Sequence, residues 1–144
     1  MMGYILLVNL ASAPLQKGVG LGFIVGLPTG VDVKFWNGQG ICPVLVAGVN
    51  DGSNFHFHGD INLHYPIDAQ SVNFLLYYGA GIKAEEEPRD RFVFGPRVPV
   101  IGFEMTLYEV PLDFFLEVAP TLEFGEGDLD FEFEGGLGMR ITVK

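Results

Sequence analysis

From Val19 onward, apolar and polar residues alternate with a period of two, the pattern of strands whose successive side chains point to opposite faces. Over 55–65, Phe55, Phe57, Ile61, Leu63 and Tyr65 oppose His56, His58, Asp60, Asn62 and His64. Over 71–83, Val72, Phe74, Leu76, Tyr78, Ala80 and Ile82 oppose Ser71, Asn73, Tyr77, Gly79, Gly81 and Lys83. Over 112–124, Leu112, Phe114, Leu116, Val118, Leu122 and Phe124 oppose Asp113, Glu117, Thr121 and Glu123. The last stretch sets Phe131, Phe133, Leu137, Met139, Ile141 and Val143 against Glu132, Glu134, Arg140 and Thr142. Gly, Pro, Asn and Asp interrupt the alternation at 28–30, 37–40, 50–53, 66–69, 85–90, 109–111 and 125–128. Those breaks predict eight strands at about 16 residues per strand and connection, the spacing of an up-and-down antiparallel barrel with short turns. Pro96 and Pro99 predict a bulge on the sixth strand, with the parity slipping between Val100 and Met105.

Composition narrows the class. The chain has 144 residues, 49% of them apolar, with 20 Gly and 9 Pro; this excludes a charged disordered segment and leaves little room for long helices. Residues 14–144 are read as one barrel domain. No apolar run reaches the roughly 20 residues of a spanning helix. The 8 Lys and Arg stand against 18 Asp and Glu, a net charge of −10, which argues against nucleic acid as a partner. Cys42 is the sole cysteine, so neither an intrachain disulfide nor a cysteine zinc site can form. Residues 1–13 carry the run Tyr4-Ile5-Leu6-Leu7-Val8 and then Leu10-Ala11-Ser12-Ala13. This reads as a signal-peptide remnant ending in a small-residue cleavage site, or else as an edge segment of the domain.

Two closed barrels fit the alternation. In one, the apolar face is outside in lipid. In the other, a soluble lipocalin-like cup, the same Phe and Leu residues surround a hydrophobic ligand. Large side chains crowd the apolar face, whereas the opposite face mixes glycines such as Gly20, Gly22, Gly79, Gly81, Gly136 and Gly138 with ionisable groups. Eight strands enclose a space just wide enough for side chains, so the small and charged residues suit the inside and the apolar belt suits lipid.

Three segments carry a resemblance. They are Gly20–Trp36 with its Pro28-Thr29-Gly30 turn and Lys34-Phe35-Trp36; Gly95-Pro96-Arg97-Val98-Pro99-Val100-Ile101-Gly102-Phe103-Glu104; and 111–120 with the closing Gly135-Gly136-Leu137-Gly138-Met139-Arg140. Together they resemble the small bacterial outer-membrane β-barrels, eight-stranded and similar to the transmembrane domain of OmpA. The resemblance implies a porin-like, cell-envelope protein in the bacterial outer membrane. It also implies a periplasmic N-terminus, so that the connections after strands one, three, five and seven face outward. The family commonly ends on an aromatic residue, whereas this chain ends Ile141-Thr142-Val143-Lys144.

On this reading Phe74, Leu116, Phe133 and Met139 face lipid. A polar network of Asp32, Lys34, His56, His58, Asp60, Arg97, Glu117, Glu132, Glu134 and Arg140 plugs the lumen, because an unpaired dry charge costs several kcal/mol. Arg97, Arg140 and Lys34 are expected to face Asp32, Asp60, Glu117, Glu132 and Glu134, with Arg97 and Arg140 pairing with the last three from strands six, seven and eight. His56 and His58 share a face with Asp60 and are close enough in sequence to meet one metal; the reading taken is lumen hydrogen bonding with no metal site. His64 lies six residues from His58, roughly 20 Å at about 3.3 Å per residue. Ser12, Ser53 and Ser71 show no triad spacing with histidine, and the glycines lead into strands and not into a phosphate-binding helix, so no catalytic residue and no cofactor are expected. The charge run 85–90 is expected to be a solvated loop. The expected protein is a monomer in the lipid bilayer with a structural or interaction role, and no envelope or extracellular partner is identified.

Overall fold

The structure, a computed structural model, describes residues 17–38, 40–50, 54–67, 72–87, 91–107, 110–125 and 128–143. These residues form eight strands: β1 (Lys17–Leu27), β2 (Thr29–Asn37), β3 (Ile41–Asn50), β4 (Asn54–Ile67), β5 (Val72–Glu87), β6 (Arg91–Leu107), β7 (Leu112–Gly125) and β8 (Asp128–Val143). Each strand is antiparallel to the next, and β1 pairs with β8 from Val19 against Val143 to Leu27 against Gly135. The sheet is therefore a closed barrel with no free edge. No helix lies among the described residues, in keeping with the all-β architecture read from the alternation. The segment 1–13 lies outside them. The last residues of β1, β3, β5 and β7 lie at one end of the barrel, here called the loop end; those of β2, β4, β6 and β8 lie at the other, the turn end.

Side-chain parity divides each strand between wall and interior. On β4, Phe55, Phe57 and Ile61 are exposed on the outer wall, while His56, His58, Asp60, Asn62 and His64 are buried. β7 repeats the split, with Leu116 and Val118 outside and Asp113, Glu117 and Thr121 inside. The interior is not wholly polar. Ile24, Val44, Val46 and Phe115 pack together there, as do Trp36, Cys42 and Leu75.

Large interior side chains fit because the facing strand has no side chain. Tyr77 pairs in register with Gly102, where a Cβ would stand 2.1 Å from the ring. Phe115 likewise faces Gly138, where a Cβ would also stand 2.1 Å from the ring. Glycine here makes room for an aromatic ring lying across the neighbouring strand.

Two expectations need correction. The bulge on β6 is present, but it falls earlier than predicted. Arg97 and Val100 both point inward, Val98 and Pro99 are both exposed, and the alternation is regular from Val100 to Met105. The registers against β5 and β7 shift at the same place, where Pro99 has no N–H to give the ladder. The charge run, in turn, is not all loop. β5 continues to Glu87, and Glu85, in register with His56 and Val93, is buried inside the barrel.

Candidate functional site: a charged lumen

Three linked clusters fill the lumen from the turn end to the loop end. At the turn end, Lys34 on β2 donates to Glu104 Oε1 on β6 (2.5 Å), and its ammonium stands 3.8 Å above the Trp36 ring. His64 Nδ1 lies 3.1 Å from the Gly40 carbonyl, which takes its proton and leaves Nε2, 2.6 Å from Lys34 Nζ, as an acceptor. Arg140 on β8 holds Asp32 through Nε and Nη2, reaches Glu104 Oε2 through Nη1 (3.2 Å), and lies 3.8 Å over the Phe115 ring. Thr142 donates to Asp113 (3.1 Å) below it.

In the middle, Arg97 on β6 binds three carboxylates. Nε donates to Asp60 Oδ1 (3.0 Å) and Nη2 to Asp60 Oδ2 (3.3 Å). Nη2 also donates to Glu117 Oε2 (3.1 Å), and Nη1 to Glu134 Oε1 (2.5 Å). A planar fork of five N–H groups suits this task, since four of them each find a separate carboxylate oxygen. Tyr77 donates to the other Glu117 oxygen at 2.8 Å. Nearer the loop end, Lys83 donates to Glu134 Oε2 (2.5 Å), to Glu123 and to Glu132 (3.5 Å), with Glu85 3.8 Å away. His56 Nε2 and His58 Nδ1 stand 2.7 Å apart between the middle and loop-end clusters.

Nine of the ten lumen residues expected from the sequence are buried in this interior: Asp32, Lys34, His56, His58, Asp60, Arg97, Glu117, Glu134 and Arg140. Glu132 differs, because its side chain is 44% exposed at the loop end. The expected pairing of Arg140 with Glu117, Glu132 and Glu134 is also replaced. Its partners Asp32 and Glu104 lie two strands away on either side, reached across the glycine-lined face of β1 and over Phe115 of β7. Arg97 meets Asp60, Glu117 and Glu134, all three among the carboxylates expected to face it. Lys83, Glu85, Glu104 and Glu123 also belong to the network and are not among those ten. Lys83 and Glu123 were already on the polar parity, and Glu104 would have joined them had the slip been placed at Val98 and Pro99.

On the outer wall Leu116 and Phe133 are 54% and 63% exposed, and Phe74 and Met139 are half-buried there. A shallow apolar concavity of about 850 Å³ also lies on this wall, between Leu45, Phe57, Ile61, Ile82, Phe94 and Phe124. Ser12, Ser53 and Ser71 lie outside the described residues. No protein-family model matches the chain, and no curated protein or solved structure is significantly similar to it.

Proposed function

We propose that the chain is an outer-membrane β-barrel with a plugged, charged lumen and a structural or interaction role in the cell envelope, without catalytic activity. One observation carries the reading: the polarity of the barrel is inverted. Arg97, Arg140, Lys34 and Lys83 are buried to 2% exposure or less, while Val31, Ile61, Ile82, Leu116, Phe133 and Leu137 are each more than half exposed. Leaving so much apolar surface in water, at about 25 cal/mol per Å², is a cost that a hydrocarbon surrounding removes. The strands, 9 to 17 residues long, are adequate for the roughly 9–11 residues a tilted membrane strand needs. Aromatic side chains near the strand ends, among them Phe55, Phe92 and Phe124 at the loop end and Phe35, Phe74 and Phe114 at the turn end, suit the two lipid–water boundaries.

A soluble lipocalin-like cup would place the Phe and Leu residues around an internal ligand; the exposure of Leu116, Phe133 and Leu137 on the outer wall favours lipid around the barrel. The interior is occupied by ion pairs, so conduction through the lumen is not part of the proposal. The partner in this reading is the bilayer itself, met by a single barrel. The test is quenching by brominated lipid. In a Trp36→Phe background, Phe133→Trp and Leu116→Trp should be strongly quenched in vesicles carrying bromine on their acyl chains, whereas Trp36 in the unaltered chain, 4% exposed and inside the barrel, should not. A chain that stays monodisperse in buffer without detergent, with no quenching at either position, overturns the membrane reading.

A further inference from the structure

Charge is unevenly balanced along the lumen. In the turn-side half, three buried carboxyl groups (Asp32, Glu104, Asp113) face two buried cations (Lys34, Arg140) among the described residues. In the loop-side half, five (Asp60, Glu85, Glu117, Glu123, Glu134) face two, Lys83 and Arg97, again among the described residues. A dry interior does not hold an excess of three negative charges; protons or a bound cation must offset it. Both histidines of the loop-side half lie at the centre of that excess.

His58 shows which cation suits the place. The side chain is 1% exposed, and its Nε2 has no hydrogen-bond partner. That nitrogen faces Asp60 Oδ2 at 3.5 Å, too long for a good hydrogen bond. It is close to the separation of about 3.3 Å between two ligands on a tetrahedral zinc with bonds of about 2.0–2.1 Å. His58, Asp60 and Glu117 each offer a donor atom within 4.8 Å of the others. The second ring nitrogen of His58 is held by His56 Nε2 at 2.7 Å, and His56 Nδ1 in turn lies 3.8 Å from Glu134 Oε2. In the metal-binding tautomer His58 Nδ1 donates to His56 Nε2, His56 Nδ1 donates to the Asn50 amide turned to present its otherwise unpartnered oxygen, and the His58 Nε2 lone pair points at Asp60, as outer partners commonly orient a ligating histidine.

We propose that the lumen binds one divalent transition-metal ion of the zinc class through His58 Nε2, Asp60 and Glu117, with His56 as the positioning residue for His58. Nitrogen with carboxylate oxygen is a donor set that zinc, cobalt and nickel accept. Binding requires Arg97 Nη2 to release its 3.3 Å bond to Asp60 Oδ2, while Nε keeps Oδ1. Two added positive charges reduce the local excess without reversing it. The acidic groups around Lys83, including the half-exposed Glu132, lie between this site and the loop end and give a cation an attractive path inward. The inference concerns the interior alone and is independent of whether lipid surrounds the wall.

The experiment is titration of the chelator-stripped, folded barrel in detergent micelles with ZnCl2 by calorimetry, and with CoCl2 by visible absorption. The expected result is one ion per chain at micromolar affinity or tighter, with a cobalt spectrum of a low-symmetry site containing nitrogen. His58→Gln, which keeps the volume, should abolish it; His56→Gln should weaken it by about tenfold or more; and His64→Gln should leave it intact. Should His58→Gln fail to fold, the cobalt spectrum and stoichiometry of the unaltered chain decide the matter. No binding by the unaltered chain, weak binding of several ions, or binding that survives in folded His58→Gln overturns the site and assigns the charge balance to protons.

Discussion

Arg97→Ala removes the one side chain that touches Asp60, Glu117 and Glu134 at once, and the consequence follows from where those carboxylates lie. The guanidinium is wholly buried, and its three partners are 6% exposed or less. Water cannot replace the four lost hydrogen bonds, so at least one carboxylate is left charged and unpartnered, a change that costs about 3–5 kcal/mol. With a urea slope of about 2 kcal/mol per M, the unfolding midpoint in micelles should fall by about 2 M. Arg97→Lys should fall between, because a point ammonium cannot serve three carboxylates with the directions the fork supplies. Added salt should not narrow the gap between Arg97→Ala and the unaltered chain, since a buried pair is poorly screened. Lys17→Ala, at an exposed position, is the control and should move the midpoint by less than about 0.5 M. Combining Arg97→Met with Glu134→Gln should recover part of the loss, because it removes charge from both sides of the contact. A midpoint for Arg97→Ala within about 0.3 M of the unaltered chain refutes a dry, plugged lumen.

Three further outcomes test separate parts of the barrel. Gly102→Ala should lose about 1–3 kcal/mol by urea titration, because its Cβ would meet the Tyr77 ring at 2.1 Å, and Tyr77→Leu should restore much of that loss in the double variant. Cys42, fully buried beside Trp36 and Leu75, should resist a charged maleimide in the folded barrel and react promptly in urea, as followed by mass spectrometry. Tyr78→Phe removes the 2.7 Å hydroxyl contact with Tyr65 on the outer wall; with this pair at the surface, stability should change by less than about 1 kcal/mol.

The strands were legible because alternation is a local property. His56, His58, Asp60, Asn62 and His64 sort onto one face from the sequence alone, and the structure keeps that sorting from Phe55 to His64. Glu104 was lost to a local irregularity: with the slip placed too late, its parity relative to Arg97 could not be read, and one misplaced bulge hid the residue that joins Lys34 to Arg140. That Arg140 would choose Asp32 and Glu104 over the carboxylate of the adjacent strand was hidden for a different reason. Sequence order says which strands are adjacent, and adjacency made Glu117 on β7 the natural choice. In a barrel this narrow, however, a long side chain reaches past its neighbours wherever they carry glycine or a flat ring. Gly20 stands 3.2 Å short of the Arg140 side chain at its missing Cβ, and Phe115 lies beneath the guanidinium. The arginine is steered across the lumen to Asp32 and Glu104. Pairing inside a small closed barrel therefore depends as much on where side chains are missing as on where charges are present, and the glycines of β1 are as much a part of the ion-pair network as the arginine they admit.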